Sequence, residues 1–294
     1  MTTKELEKQF ISQIADELFK KDNDRETDNE VLFRLRFSRD NYELPNQKDT
    51  AEKDINKFME SAGFKGKNIQ RILRFVINLI LDKYSEDMSG DISEKELNDL
   101  KNTERGKGNI WQIVFKWLWD YKFPQWQIGW IWENLQSQAK ISPNWLNFVP
   151  TGTDRAMAFN KDKLKEKLQV NQKYDLKVDL PKEAYLVLLN RGLDTRYLVC
   201  PSLAFAPEYK IVESPIWLPQ NQALANEDKI YFDAPGKEEY LAILLEKPLD
   251  IDWLKPSVSD PFPNWQSNEI IQLWEALAKE NNWQVYYRQV EVVG

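Results

Sequence analysis

Apolar residues recur at helical spacing from the start of the chain. Leu6, Phe10, Ile14 and Leu18 fall four apart, with Ile11 beside them, and predict an amphipathic helix over residues 4–20. The polar run from Lys20 to Glu30 reads as loop. Phe33, Leu35 and Phe37 then alternate with Arg34 and Arg36, a period of two that predicts a short strand. Asp49 with Glu52 offers a capping-type start for a helix through about Ala62, and Gly63 and Gly66 mark a turn. From Asn68, the positions Ile69, Ile72, Leu73, Val76, Leu79 and Ile80 predict a helix with an apolar face broad enough for the centre of a bundle. Another helix is expected from Ser93 to about Thr103.

The segment from Trp111 to Trp132 holds Trp111, Trp117, Trp119, Trp126, Trp130 and Trp132, and Pro124 divides it into two expected helices. Its apolar residues occupy nearly every face, so it must be buried in the fold or against a partner. A packed core is one reading; an aromatic groove for a peptide or sugar is the other.

Beyond Pro143 the texture changes. Residues 144–154 read as loop, and Lys161 to Lys167 as a charged joint. Tyr174, Leu176 and Val178 alternate with charged residues. Ala184–Leu189, Tyr197–Cys200, Ile216–Leu218, Ile230–Phe232 and Tyr240–Leu245 are compact apolar runs. Arg191–Gly192, Pro219 and Pro235–Gly236 stand at the turns. Short strands at roughly 10–15-residue intervals predict an antiparallel sandwich or barrel. Ile270, Ile271, Trp274 and Leu277 predict a late helix, and Trp283, Val285, Tyr287, Val290 and Val292 a terminal strand. The expected fold class is α+β: a helical, Trp-rich domain over 1–150 and an antiparallel β-sandwich-like domain over 168–294.

Composition narrows the chemistry. Twelve Trp, eleven Tyr and fourteen Phe among 294 residues can fill a dense core. The net charge of −7 argues against nucleic acid as a partner, and Lys65, Lys67, Arg71 and Arg74 read as the solvated face of a helix. Cys200 is the single cysteine and has no disulfide partner. The first twenty residues lack an apolar signal core. The longest apolar stretch, Phe75 to Leu81, contains Asn78 and is too short to span a bilayer. Cytoplasmic localisation is therefore expected, with no membrane partner.

The chain contains no histidine, which removes Ser-His-Asp and Cys-His nucleophile systems and every His-containing metal site. Ser137-Gln138-Ala139-Lys140 fits S-x-x-K, but the companion motifs are missing. Gly236–Lys237 has no glycine five positions upstream for a P-loop, and Gly106-Lys107-Gly108 lacks the third glycine of a dinucleotide site. Cys200, before a proline at the end of an apolar run, reads as a small buried hydrophobe. No catalytic residue is expected.

One segment offers metal chemistry. Residues 85–96 have oxygen side chains at the first, third and fifth places of a twelve-residue calcium loop, glycine at the sixth and glutamate at the twelfth. The candidate ligands are Ser85, Asp87, Ser89, Asp91 and Glu96, with serine where such loops prefer aspartate. The competing reading is a polar helix–helix turn with Ser93 and Glu96 as a capping box.

Ala184-Tyr185-Leu186-Val187-Leu188-Leu189-Asn190, Val199-Cys200-Pro201 and Trp217-Leu218-Pro219 are followed by the run from Ala234 to Ile243 and by Lys247-Pro248-Leu249. In that order these pieces, over about residues 174–248, resemble an uncharacterised bacterial domain family, mainly cyanobacterial. That family accompanies caspase-like peptidases and serine/threonine kinases in signalling proteins. The resemblance implies an accessory role and brings no catalytic residues. The expected function is a non-catalytic protein-interaction or regulatory module in a bacterial signalling or defence assembly. Its protein partner would be a caspase-like peptidase or kinase system, and no cofactor is expected beyond calcium. The alternatives are a calcium-responsive regulator, a His-free hydrolase and a carbohydrate binder.

Overall fold

A computed structural model describes residues 3–19, 27–43, 55–63, 68–101, 110–142, 144–152 and 167–294. The chain is α+β and divides into two compact units, Met1–Gln127 and Ile128–Gly294. No described helix is long and apolar enough to cross a membrane.

The first unit is helical: α1 (Thr3–Leu18), α2 (Asp28–Arg36), α3 (Ile55–Ser61), α4 (Ile69–Asp91), α5 (Glu94–Lys101) and α6 (Ile110–Trp117). The predicted stripe of α1 is buried, with Leu6, Phe10 and Ile14 almost without exposure, as are Val76, Ile77 and Ile80 of α4. The helix expected from Asp49 begins at Ile55 in the described residues; Asp49 and Glu52 lie outside them, as do Lys65, Gly66 and Lys67.

The strand expected at 33–37 is instead α2. The Thr27 hydroxyl accepts from the Glu30 N–H at 3.3 Å and caps the helix. Helical winding stacks Phe33 on Phe37, with ring centroids 5.2 Å apart, and buries Leu32 and Arg36 completely. Arg36 misleads the period-two reading because it is a core residue. Its guanidinium lies 3.8 Å over the Trp111 ring and donates to the Asn41 and Tyr42 carbonyls at 2.5 and 2.7 Å. Burial lowers its pKa to about 10, still fully charged at neutral pH.

Pro124 does not separate two helices. A π-helical turn, Leu118–Lys122, joins α6 directly to α7 (Phe123–Ser137), and the Phe123 N–H reaches back five residues to the Leu118 carbonyl. The wider turn absorbs the donor that proline lacks. Trp111, Trp117, Trp119 and Trp132 are buried, which is the core reading; Trp126 and Trp130 are half-buried.

The second unit begins within α7. It contains β1 (Ala139–Lys140), β2 (Leu146–Pro150), β3 (Lys167–Gln169), β4 (Tyr174–Val178), β5 (Ala184–Arg191), β6 (Arg196–Cys200), β7 (Lys210–Ile211), β8 (Ile216–Leu218), β9 (Gly236–Leu245), α8 (Ser267–Leu277) and β10 (Trp283–Val293). The larger sheet runs β1-β10-β9-β5-β6, with β3 also on β10 and β7 also on β5. The smaller sheet is β2-β4-β8. Among the described residues only β1 and β3 pair in parallel, both with β10. Ile230–Phe232, expected as a strand, contributes a single bridge from Ile230 to Tyr174.

The larger sheet is covered on both faces. Leu186, Leu188, Ala242 and Leu244 pack against Leu146, Phe148, Leu176 and Leu218 of the smaller sheet. This is the sandwich-like half of the architecture. Val187, Leu189, Leu241 and Ile243 point the other way, onto Ile131, Trp132 and Leu135 of α7 and Ile270, Leu273 and Leu277 of α8. Burial on two faces explains why β5 reads as an unbroken apolar run. It also moves the boundary between units. Residues 128–150, helical or loop-like in texture, belong with the sheet, because α7 covers one face and β2 pairs with β4 along its length.

Candidate functional site

The calcium-loop residues do not lie on a loop. α4 runs on to Asp91, so Ser85, Asp87 and Ser89 sit on the helix two residues apart, within little more than one turn. Steps of two residues on a helix turn the side chain by about 200°. The Asp87 carboxylate accepts from Lys122 at 2.6 Å, Asp91 accepts from the Trp117 indole N–H at 2.9 Å, and the Ser89 hydroxyl donates to the Glu86 carbonyl. Glu96 caps α5. Its carboxylate accepts from the Ser93 N–H at 3.1 Å and hydroxyl at 2.6 Å, while its own N–H donates to the Ser93 oxygen. These bonds hold the Glu96 carboxyl below the usual range. Among the described residues no three metal-ligating side chains converge. Ser93→Ala should cost about 0.5–2 kcal/mol through loss of the cap. Millimolar calcium should leave the melting temperature of the native chain unchanged, where a site selective for the folded state would raise it. Thermal melts of both proteins, with calcium and with chelator, check both expectations.

The other sequence candidates are placed as follows. Ser137 ends α7, its hydroxyl donating to the Asn134 carbonyl, and Lys140 lies on β1; both are exposed. Gly236–Lys237 opens β9. Gly106, Lys107 and Gly108 lie outside the described residues. Cys200 ends β6 and is fully buried, and burial drives its thiol pKa far up.

The arrangement with chemical content lies around the start of β9. Along β9, Glu238, Tyr240, Ala242 and Leu244 share the face turned to the smaller sheet, and Tyr240 pairs with Asn190 of β5. Beyond the apolar pairs, this face opens into a cleft of about 350 Å³. Its floor is Asn190, Glu238 and the buried Tyr240. Tyr197 of β6, Phe205 and Phe262 also line it, as do Tyr231 and Phe232 of the 229–236 segment. Tyr197 and Phe262 are stacked with centroids 4.1 Å apart, and Phe205 meets Phe262 edge-on at 4.7 Å. These three rings form one platform.

Glu238 is fixed at its place. The Asn190 amide donates to Glu238 Oε2 at 2.8 Å. The other oxygen lies so close to Gly192 that a Cβ there would stand 2.6 Å from it and 2.6 Å from the Thr195 hydroxyl. Glycine at the β5–β6 turn therefore leaves the space that the carboxylate occupies. Glu239, one residue on, faces the opposite side and pairs with Arg191 at 2.6 Å.

No family model, no curated protein and no solved structure matches the chain. The cleft is accordingly read from its own chemistry. Burial pushes the Glu238 carboxyl above the usual carboxylate range; the Asn190 amide opposes that shift, and the Glu239 charge adds to it. The sign for stability follows. With a native pKa above the unfolded one, the native state binds more protons between the two values. Stability falls as pH rises through that interval and stays lowered above it. Glu238→Gln, which keeps an oxygen for Asn190 but cannot ionise, should therefore melt higher than the native chain at neutral pH. The difference should vanish below about pH 4. Melting curves across that range check this, and a variant that melts lower at neutral pH contradicts it.

The sequence contains a trace of this site. Tyr240–Leu245 reads as an apolar strand and Pro235–Gly236 as the turn before it, which brackets Glu238 without assigning it a face. The aromatic platform left no such trace, because Tyr197, Phe205 and Phe262 come from three separate segments.

Proposed function

We propose that the chain is a non-catalytic protein-interaction module and that the aromatic cleft at the end of β5, β6 and β9 is where it receives a segment of its partner. The observation that carries this reading is the cleft itself. Its volume falls within the range of ligand pockets, its walls are aromatic, and its polar groups are few and oriented. The lips are apolar and exposed: Leu193 is 83% and Tyr231 51% accessible, more than a closed small-molecule site leaves uncovered. The one thiol is buried in the core, and the Asn190 amide donates to Glu238. The resemblance of residues 174–248 to an accessory domain of bacterial signalling or defence assemblies, beside caspase-like peptidases and kinases, supports a polypeptide as the ligand.

Panning a random peptide library against the intact chain tests this. Peptides should be enriched by the native protein and lost on the variant Tyr197→Ala/Phe262→Ala, whose folding is checked by its melt. No enrichment, or enrichment indifferent to the double substitution, overturns the reading.

A further inference from the structure

The ligand class can be read from the charge and shape of the same cleft, and this step rests on the interaction reading above. Glu238 presents a carboxylate at the floor, held on one side by Asn190 and admitted on the other by Gly192. Asp194 and Asp233 stand at the rim. Among the described residues, Lys229 is the one cation that lines the cleft, and it is engaged: its ammonium lies 3.2 Å from Asp175 and 3.0 Å from the Asn226 side-chain oxygen. The cleft is thus both acidic and aromatic. A flat, weakly hydrated cation answers both features, because it can stack on a ring face and donate to a carboxylate at once. The Tyr197–Phe262 platform provides the ring face and Glu238 the acceptor.

We infer that the cleft takes an arginine side chain projecting from an extended segment of a partner polypeptide, the guanidinium lying against the Tyr197–Phe262 platform and donating to Glu238. The exposed apolar lips, Leu193 and Tyr231, are then covered by residues flanking that arginine, which favours a peptide over a free organic cation. Burial works against the charged form of Glu238 in the empty cleft, and an arriving cation restores it.

The test is a titration of the isotope-labelled full chain with acetyl-Gly-Arg-Gly-amide and with the same tripeptide carrying citrulline, which keeps the planar shape and loses the charge. The arginine peptide should shift the amide signals of Asn190, Thr195 and Glu238 and bind at least roughly tenfold more tightly than the citrulline peptide. Glu238→Gln should remove that preference while melting no lower than the native chain. Gly192→Ala, which crowds the carboxylate from the other side, should weaken arginine binding in the same direction. Equal binding of the two peptides, shifts mapping elsewhere, or a preference that survives in Glu238→Gln each overturn the inference. If panning enriches peptides that need the platform but show no basic residue, the interaction reading stands and the arginine assignment falls.

Discussion

Replacing Trp117 with alanine should destabilise the N-terminal unit by about 3–5 kcal/mol, the range for removing a large aromatic from a packed core. The indole is wholly buried. It packs against Tyr84 of α4 with ring centroids 5.6 Å apart, and its N–H donates to Asp91 at the end of the same helix. Tyr84 in turn donates its hydroxyl to Glu17 of α1 at 2.6 Å, so the ring supports the contact that ties α4 to α1. The substitution leaves a cavity and removes a hydrogen bond from a carboxylate. Trp126→Ala is the control. That ring is half-buried, and its N–H donates to Gln13 at the surface, so its cost should stay near the ordinary value of about 1 kcal/mol. Denaturant unfolding followed by helical circular dichroism separates the two. Equal midpoints for both variants would mean that Trp117 is not part of a packed core.

Trp265→Ala should be as damaging to the C-terminal unit, at about 3–5 kcal/mol for the ring, with about 0.5–1.5 kcal/mol more for the aromatic pair. Trp265 is fully buried and stacked on Trp132, ring centroids 5.5 Å apart and planes within 6°. The Arg191 guanidinium lies 4.6 Å over the other member of the pair. The indole N–H donates to the Asn190 carbonyl, and the backbone N–H to the Arg196 carbonyl. One residue therefore anchors both strands of the β5–β6 hairpin and, through Asn190, the partner of Glu238. Trp265→Phe keeps most of the packing but leaves the Asn190 carbonyl without its indole donor, at about 1–3 kcal/mol. The expected order of stability is native, then Phe, then Ala, with arginine-peptide binding already weakened in the Phe variant. A Phe variant as unstable as the Ala variant would place the loss in the hydrogen bond, and one with undiminished binding would uncouple the anchor from the cleft.

Several elements were legible in the sequence for a common reason. α1, α4 and α8 each bury one stripe, and a stripe on a helix repeats in the chain at a spacing that is visible in one dimension. β4, β5, β6, β9 and β10 announced themselves as alternating or continuous apolar runs between turn residues. The capping of α5 by Ser93 and Glu96 is likewise local, three residues from donor to acceptor. Where the interaction partner lies nearby in the chain, or where a whole face is buried, pattern alone was enough.

The reading failed where a residue's role depends on what arrives from far away. Arg36 is charged, yet an aromatic ring seventy-five positions later and two carbonyls make it a core residue, and α2 took the place of a strand. Residues 85–91 carry the composition of a calcium loop, but α4 continues through them, with Asp87 and Asp91 meeting Lys122 and Trp117. The change of texture at Pro143 marks a change in local propensity; the boundary between units follows packing, and packing assigns 128–150 to the sheet. The candidate cleft is the extreme case. The sequence by itself marked Tyr240–Leu245 as a strand entered through the Pro235–Gly236 turn, with Glu238 between them and no face assigned to it. Only the tertiary structure brought Asn190, the Gly192 gap and three rings from separate segments to that carboxylate, because a binding site is a set of proximities in space and the chain records only proximities along itself.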